Sequence, residues 1–337
     1  MAVAELSPTG AAAEFTRKER SLFQESLIRL FKNKVAVVSL LYIGILITVA
    51  IFPTIITPAS PIDQDLDANN AVARWMLFML PANAENYARF SDVYPFGADH
   101  LGRDLLARTL YGARVSLQVA IVAATVSLTV GIIYGSISGY LGGTVDNVMM
   151  RIVDFLYGFP FLIVVILLQA YFKALAREGG QEGFAGTLLR INSSMGGLFF
   201  LFIAIGLVNW LAAARIARGQ ILSYKKKEFV EAAFAVGASD GRIIFKHLLP
   251  NIIGPLIVYE TLQIPGYIFT EAFLSFIGLG VDPPTPSWGI MISEAYQGLR
   301  SYPNQTLVPA IFLSVTTLAF NFLGDGLRDA FDPRQKR

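Results

Sequence analysis

The chain contains no cysteine and only two histidines among its 337 residues. Without cysteine there are no disulfides and no thiol chemistry, although this does not fix the compartment. With so few histidines a protein-ligated zinc site is not expected, and no metal residue is assigned. Charged side chains make up only 15% of the chain, where soluble domains carry about 25%. Glycine is never followed by lysine, so the phosphate loop G-x-x-x-x-G-K-[ST] is missing and the chain is not expected to bind ATP in the usual way. No cluster of acids, bases and nucleophiles emerges, so no catalytic residue and no cofactor are assigned. No internal repeat is evident. Nor is a removable leader, because the first apolar run begins only at Val35 and is long enough to span a bilayer. The net charge of +2 says little about partners, and none is expected to be a nucleic acid.

What the chain has instead is apolar length. Mean hydropathy is +0.54, and several runs approach the roughly 20 residues that a membrane helix needs. Six spans are expected, at about 35–57, 115–138, 152–172, 197–214, 252–274 and 307–324. The fold class is therefore all-α, a polytopic membrane protein. Pro160, Pro255, Pro265 and Pro309 fall inside spans, where each can kink a helix. Residues 1–34 form a leader, disordered to about residue 14, with an amphipathic stretch Arg17–Lys34 along the membrane surface. Residues 35–337 form the transmembrane domain. With the N-terminus inside, the inner segments hold eighteen of the lysines and arginines and the outer loops nine, which favours both termini in the cytoplasm. The loop of about 58–114 is then extracytoplasmic. The loop of about 215–251 is cytoplasmic, with Arg215 and Arg218 at the membrane rim. Asp146, Arg151 and Asp154 are expected to pair at the same rim, and Trp288 suits a membrane–water interface.

The most informative stretch is Glu228–Asn251, EFVEAAFAVGASDGRIIFKHLLPN, a polar island between two apolar segments. It reads as two short helices broken at Gly237-Ala238. Phe229, Ala233 and Val236 recur at i, i+4 and i+7 and form one apolar face, with Glu228 and Glu231 on the other side. Ala232 and Ala233 are small enough to admit a close partner. Gly237 can take the positive φ that ends a helix. Ser239 or Asp240 can cap a second helix that stops before Pro250.

This stretch resembles the signature loop of bacterial ABC-importer permeases, Glu-Ala-Ala, three residues, Gly, nine residues, then Ile-x-Leu-Pro. Glu231, Ala232, Ala233, Gly237, Leu249 and Pro250 fit. His247 departs from the general pattern in the manner of the dipeptide, oligopeptide and nickel branch. Phe96–Leu117, with Arg103 and Asp104, resembles another segment of that branch, and so does the C-terminal run from Leu318. The likeness spans about residues 32–337. It is weakest at about 58–93 and 173–195.

The resemblance implies a type I importer architecture and the permease role. The loop would be a coupling helix docked on an ATPase. The partners would be a second homologous permease, two ATPase subunits that bind ATP and magnesium, and an extracytoplasmic solute-binding protein, in a prokaryotic plasma (inner) membrane. Coupling residues are then Glu228, Glu231, Ala232, Ala233, Gly237, Ser239 and Asp240. Two alternatives stay open, a secondary transporter and a non-transporting receptor or scaffold. Glu260, an acid deep in the fifth span, stands either as a structural acid or as part of the translocation path, favouring cationic groups.

Overall fold

The computed structural model describes residues 22–177 and 183–331. The expected disorder of the first residues, the start of the amphipathic stretch and the last six residues lie outside these. Helix α1 (Leu22–Lys32) is followed by α2 (Lys34–Ile51). Asn33 separates the two, because its side chain accepts hydrogen bonds from the amides of Val35 and Ala36 at 3.1 and 3.2 Å and so caps α2. A loop with short 3₁₀ turns and two paired two-residue strands, Val72–Ala73 and Phe90–Ser91, leads to α3 (Leu105–Leu141). Then come α4 (Gly143–Tyr157), α5 (Phe161–Arg177), α6 (Gly183–Ser194), α7 (Leu198–Tyr224), α8 (Glu228–Ala235), α9 (Asp240–Arg242), α10 (Leu249–Phe276), α11 (Trp288–Ala295) and α12 (Pro303–Phe331).

Among the described residues five helical stretches are long and apolar enough to cross a membrane: α2, α3, α7, the run Asp240–Phe276 and α12. Counted as one span, the bent pair α4 and α5 makes a sixth. The expected third span, about 152–172, thus falls across two helices that meet at 77°. Gly158 closes α4, and Pro160 cannot donate the next helical hydrogen bond. Span edges also move. Helix α3 starts at Leu105 rather than Val115, because Asp104 caps it through the amide of Leu106 at 2.9 Å.

The segment entering α3 is a structural anchor. Asp99 accepts from the amides of Leu101 and Arg103, as its place in a turn predicts. Arg103 donates to Asp99 at 2.6 Å and to Glu294 of α11 at 2.8 Å, and Arg108 reaches Glu294 at 2.7 Å. Arg103, Arg108 and Asp104 are all buried. Burial pushes the Asp104 carboxyl above the usual carboxylate range, opposed by the amides of Leu106 and Ala107. Asp99, His100 and Glu294 place ligand-type atoms within 4.8 Å of one another. Both carboxylates are already engaged by guanidinium groups, so the cluster is an ion network and not a cation site. Trp288, expected at an interface, is fully buried instead. Its indole N–H donates to the Thr109 carbonyl at 3.0 Å, which removes the reason for a wet edge.

Helices α3 and α7 pack more extensively than any other pair. Gly131, Gly135 and Gly139 lie along α3 at four-residue spacing and face Ala213, Ala214, Ala217 and Arg218 of α7. A methyl group at Gly135 would sit 2.7 Å from the Ala217 Cβ and still closer to the Ala214 carbonyl oxygen. Gly219 of α7 has open space where its side chain would be. Gly135→Ala is therefore expected to cost about 1–3 kcal/mol through overpacking. Gly219→Ala should be neutral or slightly stabilising. Thermal unfolding of the purified protein in detergent checks this, and equal midpoints for the two variants would contradict the close approach.

Candidate coupling surface

The site is built around the α8 end of the bundle. Helix α8 is short and draws its stability from what it packs against. Val230 is fully buried, in a cluster with Tyr140, Ile221, Ile243, Leu248 and Ile252. Ala233 is half-buried on the same side. Of the expected apolar face of Phe229, Ala233 and Val236, only Ala233 is thus turned inward. Val236 is 89% exposed, and Phe229 and Phe234 are also exposed. Inward packing is set by Val230 and Ala233, three residues apart, because the core that receives them lies on that side. Glu228, Glu231 and Ala232 face solvent. The result is an exposed surface that joins aromatic and aliphatic groups to two carboxylates.

Gly237 follows α8 with φ +83°, and a methyl group placed there would meet no atom within 4 Å. Its amide donates to the Phe234 carbonyl at 2.9 Å, and that of Ala238 to the Ala233 carbonyl at 3.0 Å, the pattern that satisfies a helix end. Ser239 occupies the N-cap position of α9 but makes no side-chain cap bond. Asp240 does not cap either. Its carboxylate accepts from the Tyr140 hydroxyl at 2.6 Å. Lys225 donates to the Tyr140 carbonyl at 2.6 Å and lies 5.0 Å from the centre of that ring. Tyr140, unremarked in the sequence because tyrosine at a helix end is common, therefore straps both ends of the loop to α3.

The second short helix does not stop before Pro250. From Asp240 the chain runs through a π-helical turn, Ile243–Leu248, directly into α10. Pro250 has no N–H for the Lys246 carbonyl and its ring crowds that carbonyl, and the wider turn accommodates both. The remaining polar residues tie neighbouring helices together. Arg218 grips Asp146 with two bonds of 2.5 Å, and Arg215 reaches Asp154 at 2.7 Å. Arg151 is exposed and outside both pairs.

Glu260 is 4% exposed and lies between α10 and α3. Ser127 donates to it at 2.6 Å and Tyr267 at 2.9 Å. Both donors come from the chain's own helices, and the carboxylate is held between α10 and α3. Glu271, not singled out in the sequence, makes a matching pair. It is fully buried and accepts from Ser116 at 2.6 Å and Ser275 at 2.7 Å. The two serine–glutamate pairs stand about three turns apart on each helix.

Comparison with known proteins agrees with this geometry. Residues 131–337 match the family model described as "Binding-protein-dependent transport system inner membrane component". The chain belongs to this family. Residues 21–73 also match the N-terminal transmembrane domain of oligopeptide transport permease C. The oligopeptide transport system permease protein OppC of Haemophilus influenzae is 42% identical over 96% of this chain and 92% of its own. The dipeptide transport system permease protein DppC of Bacillus subtilis is 40% identical over 95% and 88%. The glutathione transport system permease protein GsiD of Salmonella paratyphi A is 39% identical over 78% and 81%. A solved chain of the MetNI methionine ABC transporter, in inward-facing conformations, shares the fold with a TM-score of 0.50 at 17% identity. It covers 67% of this chain and 96% of that one. The protein is thus a multi-pass inner-membrane permease subunit of type I importer architecture.

The conformation of Gly237 gives a direct test. A β-branched residue at that φ is a genuine outlier, costing about 1–3 kcal/mol. Gly237→Val should loosen the end of α8, so that amide exchange across 232–240 speeds up while exchange in α3 and α7 is unchanged. Unaltered protection in that stretch would contradict the strained position.

Proposed function

We propose that the chain is one of two homologous permease subunits of an ATP-driven peptide importer, and that α8 docks it to an ATPase subunit in the cytoplasm. The observation that carries this reading is the surface around Gly237. Phe229, Phe234 and Val236 are exposed beside Glu228 and Glu231 on a helix whose other side is locked to α3, α7 and α10. An apolar patch rimmed by acids, at the end of a bundle, suits a groove on a partner. The excess of lysine and arginine at that end supports a cytoplasmic position. Lacking a phosphate loop, the chain leaves ATP and magnesium to two partner ATPases.

The mechanism is alternating access. ATP favours a closed pair of ATPase subunits and so stabilises one arrangement of the docked helices over another. Because the residues flanking α8 are strapped to Tyr140 through Lys225 and Asp240, and the chain runs unbroken from Asp240 into α10, displacement of α8 moves spans and not only a loop. Solute arrives at the opposite face from a separate binding protein, as the family description implies. Relatives named for oligopeptides, dipeptides and glutathione favour short peptides over a nickel chelate.

The absence of native cysteine makes the test clean. With an impermeant thiol reagent, Ala235→Cys should label only from the cytoplasm, and Val93→Cys, in the loop before α3, only from outside. Glu231→Lys should leave the permease in the membrane but reduce ATPase co-purification or uncouple hydrolysis from uptake. Labelling of Ala235→Cys from outside, or full ATPase binding and uptake in Glu231→Lys, would overturn the reading.

A further inference from the structure

Polar side chains gather at one open cleft on the side of the apolar bundle. A cavity of about 300 Å³ opens beside the bend between α4 and α5. Its polar lining comes from three elements: Tyr157 at the end of α4, Asn209 on α7, and Tyr259 and Gln263 on α10. None of the lining residues carries a formal charge, and the nearest one shown is the Arg215 guanidinium, 4.3 Å from the centre of the Tyr157 ring. Along α10 the pattern continues, with Pro255, Tyr259, Gln263, Gly266 and Thr270 recurring every three or four residues on one stripe. Pro255 and Gly266 are exposed, and the other three are half-buried. A surface meant for lipid is built differently in the same molecule, since α2 exposes Val38, Leu41 and Ile45. Amide and hydroxyl groups facing hydrocarbon would go unsatisfied. Broken backbone at membrane depth persists where it is buried in protein or borders water. The stripe and the bend therefore face the same non-lipid space. Glu260, adjacent to Tyr259 in sequence, points away from it.

We propose that this cavity and stripe are the chain's share of a water-filled path, and that they recognise the main-chain amides of a peptide and not its side-chain charge. The Gln263 amide and the Tyr157 and Tyr259 hydroxyls can donate to peptide carbonyls. Asn209 spends a donor on the Ile205 carbonyl and keeps its own carbonyl oxygen for a peptide N–H. The aromatic rings offer flat apolar walls to side chains of varied size. A lining that is neutral except where Arg215 borders Tyr157 reads side-chain charge weakly, which suits a carrier of varied sequences. The amide recognition rests on the importer reading above, whereas the water-filled path does not.

The experiment uses the assembled transporter in proteoliposomes with its binding protein, carrying Gln263→Cys or, as a lipid-facing control, Leu41→Cys. A charged methanethiosulfonate should modify Gln263→Cys and not Leu41→Cys, and tri-alanine should slow the modification. Gln263→Glu should raise the uptake ratio of tri-lysine to tri-glutamate by on the order of tenfold. Inertness of Gln263→Cys in every nucleotide state, with tri-alanine still transported by the unmodified protein, would overturn the path assignment. Modification without protection by tri-alanine, and an unchanged ratio, would overturn amide recognition. If the unmodified protein fails to transport tri-alanine, the peptide reading falls, while reaction of Gln263→Cys with the charged reagent still decides the path.

Discussion

The close approach of α3 and α7 is the contact on which the rest of the bundle depends. In a bilayer there is little hydrophobic gain from pressing two apolar helices together, so dispersion and geometry must hold them. Glycines at 131, 135 and 139 let the α7 backbone come within reach, and three alanines complete the fit. At the end of that seam Arg218 meets Asp146, and Tyr140 is placed to hold Asp240 and Lys225. The proposed coupling element thus inherits its position from the packing seam between α3 and α7.

The same element is joined to the transport helices in a second way. Helix α10 leaves it without a loop and is fastened to α3 by the Ser127–Glu260 and Ser116–Glu271 pairs. Two pairs about three turns apart resist sliding of one helix along the other. Compliance then concentrates in the π turn before Pro250 and at the internal prolines Pro255 and Pro265. A force applied at α8 reaches α10 and α3 together, and the bent α4–α5 span stands beside them at the cavity.

Much of this was legible in the chain. The apolar runs, the glycine with positive φ and the break after α8 all follow from local physics, since each depends on a few neighbouring residues. What escaped depends on partners distant in sequence. Nothing local says that Val230, and not Phe229, faces the core, because the receiving cluster is assembled from α3, α7 and α10. Trp288 looks like an interface residue until the Thr109 carbonyl is found beside it. Glu260 reads as a lone acid until Ser127 and Tyr267 are brought to it. The glycine stripe on α3, not singled out in the sequence, takes its meaning from the small residues of α7 opposite.

The central claim, that α8 is the docking element, is tested most directly by amide exchange of the permease pair with and without its ATPase subunits. Binding should protect Phe229–Val236 and leave the loop between α2 and α3 unchanged. ATPase binding with no added protection in α8, or with protection only at another face, would contradict the account.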